Sequence, residues 1–326
     1  MKIGMIVPSF KQKGPIIVAG LIAKGIRKID KSHDFVFVSL RKNDEEDSAW
    51  LTNSLDNGVK YYELGMGKLP TKRVLTDIIQ IAKNEKIDIL HSHSYWPTVI
   101  ASQIQGIKKV LTIHEETKIS LEYSYGKIIT GIYFDIFLKS LPKYDKVIFV
   151  SETTKEHALR LSRDIVNYDY DVILNGVDDF YLNVNPKDKE QRNGISFASF
   201  SNLNKIKNLI LALRAFDKLN KIAPYNYNYD IFGSGPEFRN LKRYAYKKDL
   251  DKYVLFKGAI SRENLLNNLS IYDVILIPSL SEGFCLSAAE ALMMSKPLIC
   301  SDIPVFKEYI REGFNGLLFK SNDYNE

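Results

Sequence analysis

At 326 residues, with 45% hydrophobic and 26% charged residues, the chain has the composition of a soluble globular protein and the length of two ordinary domains, which sets aside disordered and fibrous classes. A net charge of +6, with no basic run interleaved with aromatics, argues against nucleic-acid binding and leaves a mild attraction for anionic lipids or phosphorylated ligands. The only cysteines, Cys285 and Cys300, lack C-x-x-C spacing and read as reduced core thiols of a cytoplasmic protein.

The chain opens on "MKIGMIVPSF", whose apolar part is too short for a signal peptide and predicts a first buried strand. No apolar run approaches the roughly 20 residues that cross a bilayer. Further strands are predicted at "DFVFVSL", "KIDILHSH", "KKVLTIHEE" and "DKVIFVSE", each ending in a polar or turn-forming group. Between them "IIVAGLIAKGIRKI" and "TKRVLTDIIQIAKNE" repeat apolar residues at three and four, the helical period. This βαβ rhythm predicts a parallel sheet covered on both faces.

Within this half, "LHSHS" puts His91 and His93 on one face at a strand end, a spacing that can bind metal. No third ligand is evident in the sequence, so no metal site is assigned, and His93 is kept as an acceptor-side candidate. His33 and His157 read as surface residues. The segment "KISLEYSYGKIITGIYFDIFLKSLPKYDK" mixes lysines with large apolar residues. A core helix leading into the next strand is favoured over a helix lying on a membrane surface.

The rhythm breaks in the polar stretch after Asn167 and resumes with "ISFASFSNL", "YNYDIFGSG", "KYVLFKGAI", "YDVILIPSL" and "KPLICSD". Two Rossmann-like domains follow, 1–172 and 173–326, an α/β chain with its ligand expected in the cleft between them at the carboxyl ends of the strands. The D-x-D triplets Asp169/Asp171 and Asp249/Asp251 lie in polar connections and read as structural. The chain stops at "LLFKSNDYNE", where the rhythm calls for another helix, so either the fold closes early or the chain is truncated.

Chemistry concentrates in "SEGFCLSAAEALMM", a loop after a buried strand that opens at once into a helix. The unpaired amides around residues 284–286 form an anion site. Beside a bound anion, Glu282 is expected to accept hydrogen bonds from neutral hydroxyls, and Glu290 can accept from a second hydroxyl pair. Sugar hydroxyls, a diphosphate and a ribose would satisfy both carboxylates and the amides. Lys205 and Lys207 stand where another helix begins, within reach of a phosphate. Gly233, in "DIFGSGPEF", lets a ligand approach the backbone.

Taken with "LNGVD", "SNLNKIKN", "FGSGPE", "FKGAIS", "IPS", "KPLICSD" and "FNGLLF", this stretch resembles the retaining glycosyltransferases of family 4 (glycosyl transferases group 1), which have the two-domain GT-B fold. The resemblance implies that Lys207 and the amides of Gly283, Phe284, Cys285 and Leu286 bind a donor diphosphate. It implies that Glu282 holds the donor sugar, that Glu290 holds the ribose, that the amide of Gly14 approaches the phosphate and that His114 contacts the sugar. Asn202 replaces the usual arginine, with Lys205 compensating. Gly14-Pro15 replaces Gly-Gly, Cys285 and Ser295 replace glycines, and the family's closing helices are absent.

The expected activity is therefore retaining, metal-independent transfer from a nucleoside-diphosphate sugar, UDP-linked in one reading, with no cofactor and with Glu282, His114 and Lys207 as catalytic residues. The expected acceptor is a glycan or a lipid-linked glycan of the cell envelope or capsule, reached in the cytoplasm or at the inner membrane face by peripheral association. The rivals are a nucleotide-sugar epimerase on the same fold and a catalytically silent GT-B binding protein. An oxidoreductase is disfavoured, because "PSFKQKGP" lacks G-x-G-x-x-G after the first strand.

Overall fold

The computed structural model describes residues 1–55, 59–178, 194–222 and 227–321, in two compact units, Met1–Gly176 and Val177–Glu326. Seven strands build the first sheet: β1 (Lys2–Val7), β2 (Asp34–Ser39), β3 (Lys60–Glu63), β4 (Ile89–His93), β5 (Lys108–Ile113), β6 (Lys146–Phe149) and β7 (Tyr170–Val172). All pairs are parallel, in the order β3-β2-β1-β4-β5-β6-β7. The central strands are apolar on both faces because helices cover both. Along β1, Met5 and Val7 pack with Phe37, Ile16 and Ala19, while the intervening Ile6 packs with Val38, Val74 and Ile78.

The edge strands β3 and β7 are absent from the sequence prediction. Neither contains a fully buried residue, so neither carries the apolar run or alternation by which a strand is read. Asp171 accordingly lies in β7 and not in a connection. Lys146 Nζ bridges Asp169 at 2.5 Å and Asp171 at 2.9 Å, so this D-x-D triplet serves the sheet edge.

The second unit holds β8 (Ile195–Phe200), β9 (Tyr227–Phe232), β10 (Val254–Gly258), β11 (Val274–Ile277), β12 (Leu298–Ser301) and β13 (Gly316–Phe319). They form a parallel sheet in the order β10-β9-β8-β11-β12-β13. Each sheet grows outward from its first strand in one direction and then switches, at β1/β4 and at β8/β11. At such a switch, loops leaving the carboxyl ends of adjacent strands diverge and open a crevice for ligands. Lys207 follows β8 and Glu282 follows β11; in the other unit, Gly14 follows β1 and His93 closes β4.

Candidate active site

In the second unit, the loop after β8 enters a short 3-10 turn, Lys205–Lys207, capped by Asn204, whose Oδ1 accepts from the Lys207 amide at 3.2 Å. Asn208, in the left-handed region at φ 50°, redirects the chain into the helix Leu209–Ile222. The loop after β11 is tied to this turn by the Leu280 amide, which donates to the Ile206 carbonyl at 2.8 Å. Two segments separated by 75 positions thereby bring Lys207 Nζ within 2.6 Å of Glu282 Oε1.

Glu282 is 9% exposed, and the same Oε1 accepts from the buried Ser279 hydroxyl at 2.7 Å. The sequence reading expected neutral hydroxyls at Glu282. Ser279 fits it, but Lys207 adds a cation. That cation offsets the carboxylate's charge, which lowers the electrostatic cost of an anion approaching the same place. Lys207, Glu282, Ser201, Ser279 and Ser287 line one small recess, and its hydroxyls, ammonium and carboxylate suit a ligand carrying both phosphate and sugar hydroxyl groups.

The helix expected to open at residues 284–286 begins at Leu286 and runs to Met293. Its first bonds are those of the Ala288 and Ala289 amides to the Cys285 carbonyl, at 3.1 and 3.3 Å. Phe284 precedes it, fixed by the Tyr309 hydroxyl donating to its carbonyl at 2.6 Å. Cys285 stands at φ 70° and Ser295 at φ 54°, the left-handed region, where a side chain costs roughly 1–2 kcal/mol. These are the two positions that the resemblance marks as replacing glycines, and each holds a conformation that glycine adopts most readily. Burial, and then the charge of Glu282, pushes the Cys285 thiol up to about 12, which keeps it protonated at neutral pH.

Glu290 is 2% exposed on this helix, buried and not on a solvated face. Asn202 and Lys205 are exposed on the loop that carries Lys207. Gly233 has a reason of its own: a Cβ there would lie 1.8 Å from the Ser201 carbonyl oxygen, at φ 133°. Around it, the Ser201 amide donates to Phe232 and the Leu203 amide to Ser234. The glycine turn therefore shapes the loop that presents Asn202, Lys205 and Lys207.

In the first unit the structure unites three histidines. His91 and His93 project from β4 with ring centroids 4.3 Å apart. His114, just past β5, lies beside His93 with ring centroids 5.1 Å apart and His93 Nδ1 2.8 Å from His114 Nε2. His91 Nε2 lies 2.8 Å from the Thr112 hydroxyl. Among the described residues no group of three or more His, Cys, Asp or Glu is arranged to hold a metal. Gly14 opens the helix Gly14–Ile29 with Pro15 in its first turn, and a Cβ at Gly14 would meet nothing within 4 Å. His157, expected on the surface, is partly covered and pairs through Nδ1 with Glu116 at 2.8 Å. His33 pairs with Asp30 at 3.3 Å.

Burial lowers His91 to about 4 and His114 to about 3, and holds His93 well below its ordinary range. A histidine unfolds to an ordinary value near 6.5. From about pH 6.5 down to about 4 the unfolded chain therefore takes up protons that the folded chain refuses, and stability falls on acidification. His91 alone, 6% exposed, is expected to contribute on the order of a few kcal/mol over that window. Denaturant melts of the wild type at about pH 7.5 and pH 5 should show the loss, and His91→Gln should reduce it.

Two parallel sheets of this order, with a cation–carboxylate pair and a helix start at a switch point of the second, are the arrangement expected of the GT-B glycosyltransferases that the sequence resembles. Comparisons with known proteins agree. Residues 19–179 match Glycosyltransferase Family 4 and residues 183–326 match Glycosyl transferases group 1; the chain belongs to the family 4 glycosyltransferases. It is 27% identical over 320 residues to the O-antigen biosynthesis glycosyltransferase WclY of Escherichia coli, covering 94% of this chain and 82% of the relative. It is 28% identical over 306 residues to the UDP-Gal:alpha-D-GlcNAc-diphosphoundecaprenol alpha-1,3-galactosyltransferase of Escherichia coli, covering 85% of this chain and 75% of that one. Its fold is similar to Anabaena Alr3699/HepE in complex with UDP and glucose, with a TM-score of 0.79 and 17% identity, over 100% of this chain and 87% of that chain.

Proposed function

We propose that the chain transfers a sugar from a nucleoside-diphosphate sugar, UDP-linked, to a hydroxyl of a growing envelope glycan, with retention at the anomeric carbon and without a metal. The observation that carries this reading is Lys207 beside Glu282 and Ser279 at the β8/β11 switch, in front of a helix start. As the bond from the anomeric carbon to the β-phosphate oxygen breaks, negative charge gathers on that oxygen. Lys207, Lys205 and the amides of residues 283–286 stabilise it, with Asn202 beside them. The acceptor hydroxyl attacks from the leaving-group face, its oxygen bonds to the anomeric carbon, and its proton passes to the departing diphosphate. Glu282 holds the sugar's hydroxyls, Glu290 the ribose, and the Gly14 amide approaches the phosphate. For His114 the proposed role is a hydrogen bond to the sugar.

A thermal-shift series with nucleoside diphosphates and their sugars, with and without EDTA, tests this. Binding to the folded state alone is expected to raise the melting temperature, by about 2.7 kcal/mol of stabilisation at a hundredfold excess over Kd, unchanged by chelator. A shift that needs a divalent ion removes the metal-free reading, and no shift with any nucleotide removes the donor site. Donor consumed without an acceptor favours the epimerase.

We also propose that the chain meets its acceptor, a lipid-linked glycan, at the inner face of a membrane. Among the described residues no helix is long and apolar enough to span one. The helix Lys127–Ser140 buries Thr130, Phe134 and Phe137, but turns outward Ile128 at 89%, Ile132 at 62% and Ile136 at 37% exposure. A helix apolar on both faces is ordinarily buried. Exposed Lys127, Lys139 and Lys143 flank the stripe, and Asp135 lies on it one turn before Lys139. This combination fits an anionic phospholipid surface. Vesicles containing anionic lipid are expected to sediment the protein, neutral vesicles less so, and Ile128→Ser with Ile132→Ser to abolish it. Equal recovery of wild type and variant would overturn the proposal.

A further inference from the structure

We infer that His93 is a positioning residue: its Nδ1–H donates to His114 Nε2 and so fixes His114 in the tautomer that carries its hydrogen on Nδ1. The inference rests on the proposed contact of His114 with the sugar for its functional consequence, but its geometry stands independently. His93 ends β4, in register with Thr112 of β5, and His114 follows two residues later. Parallel pairing therefore sets the two rings side by side, 28° from parallel, with the two nitrogens 2.8 Å apart. At that distance one hydrogen lies between them, since two would collide and two bare nitrogens would repel.

The environment of His93 chooses which ring supplies that hydrogen. His93 is 0% exposed, and its Nε2 is buried without a hydrogen-bond partner among the described residues. If His114 were the donor, neutral His93 would have to carry its own hydrogen on Nε2, a buried N–H with nothing to accept it. If His93 donates from Nδ1, the unpartnered atom is a bare nitrogen. Stranded buried donors are rarer in folded proteins than stranded acceptors, and a donor left unmade forfeits its full hydration. Burial keeps a second hydrogen off both rings at neutral pH. On the other side of His93, His91 has its Nε2 engaged with the Thr112 hydroxyl and supplies no alternative partner.

The chemical consequence is polarity at the free edge of His114, where Nδ1 makes no hydrogen bond among the described residues. Held in this tautomer, Nδ1 can only donate, so it takes an oxygen lone pair of a ligand and cannot take a hydroxyl hydrogen. A sugar hydroxyl bonded there must direct its own hydrogen elsewhere, which orients that hydroxyl as well as binding it. A histidine free to exchange tautomers would lack this selectivity.

The test is a long-range proton–nitrogen correlation spectrum of the whole chain labelled with 15N-histidine, with His93→Asn and His93→Phe beside it. In the wild type, His114 Nδ1 is expected to resonate as a protonated nitrogen and Nε2 as a bare one. Asparagine places an N–H where Nδ1 stood and should retain that pattern, whereas His93→Phe should release His114 to a mixture. With the donor sugar, kcat in His93→Phe should fall about tenfold, the effect of one hydrogen bond, with nucleoside-diphosphate affinity unchanged and His93→Asn close to wild type. A wild-type His114 protonated on Nε2, or an unaltered pattern in His93→Phe, overturns the inference. If His93→Phe fails to fold, the wild-type spectrum still decides the tautomer. The expected spectra with normal transfer in both variants would keep the tautomer assignment and remove the proposed sugar contact of His114.

Discussion

Replacing Glu282 by glutamine is expected to lower sugar transfer by about 100- to 1,000-fold while leaving the fold in place. Glutamine keeps the length and an oxygen for the Ser279 hydroxyl, 2.7 Å away in the native chain, but removes the charge that draws two sugar hydroxyls at once. The magnitude is that of losing one preorganised polar group aimed at reacting atoms in a site shielded from water. Glu282→Ala should reach the same loss of activity and cost more stability, because it opens a hole in a buried loop and takes the carboxylate from beside Lys207 Nζ. Lys207 retains 21% side-chain exposure and can turn its ammonium to water, so folding should survive. Initial rates with a saturating donor, alongside thermal melts, check both variants. Unchanged turnover in a folded Glu282→Ala would place the site elsewhere.

Lys207→Ala should act on the nucleotide. A charge-assisted hydrogen bond to phosphate contributes about 1.5–3 kcal/mol, so nucleoside-diphosphate affinity should fall roughly 10- to 100-fold. The pairing at 2.6 Å adds a second effect. Without the ammonium, an incoming diphosphate meets a carboxylate whose charge nothing so close offsets, and repulsion joins the lost attraction. Combining Lys207→Ala with Glu282→Gln should therefore recover part of the lost affinity, a coupling that titration calorimetry on the four members of the cycle can measure. Affinity unaffected by Lys207→Ala would exclude this recess as the phosphate site, and strictly additive losses would show that the two charges do not communicate.

The left-handed residues show how far a local reading extends. In the sequence Cys285 and Ser295 count as departures from a glycine pattern; in the structure each adopts φ above +50°. The conformation belongs to the turn, and the side chain is tolerated at some cost. Gly233 makes the opposite point. The sequence attributes its small size to a ligand, whereas its missing Cβ is required by the Ser201 carbonyl. Both readings concern a close approach to backbone, and only the folded chain identifies what approaches.

What the sequence determined by itself is local. Apolar runs of strand length alternating with helical periods specify a parallel sheet with two covered faces, because side-chain periodicity encodes which faces are buried. A polar turn after each strand places the chemistry at the carboxyl ends, and "SEGFCLSAAEA" marks a loop entering a helix whose amides lie open. What only the tertiary structure decided depends on sheet order and register. Lys207 reaches Glu282 across 75 positions because β8 pairs with β11, and His93 reaches His114 because β4 pairs with β5. Strand adjacency arises from packing among distant segments and has no signature in the local pattern of either. The same holds for the edge strands β3 and β7, which exist because a neighbour offers them hydrogen bonds and not because they bury an apolar face.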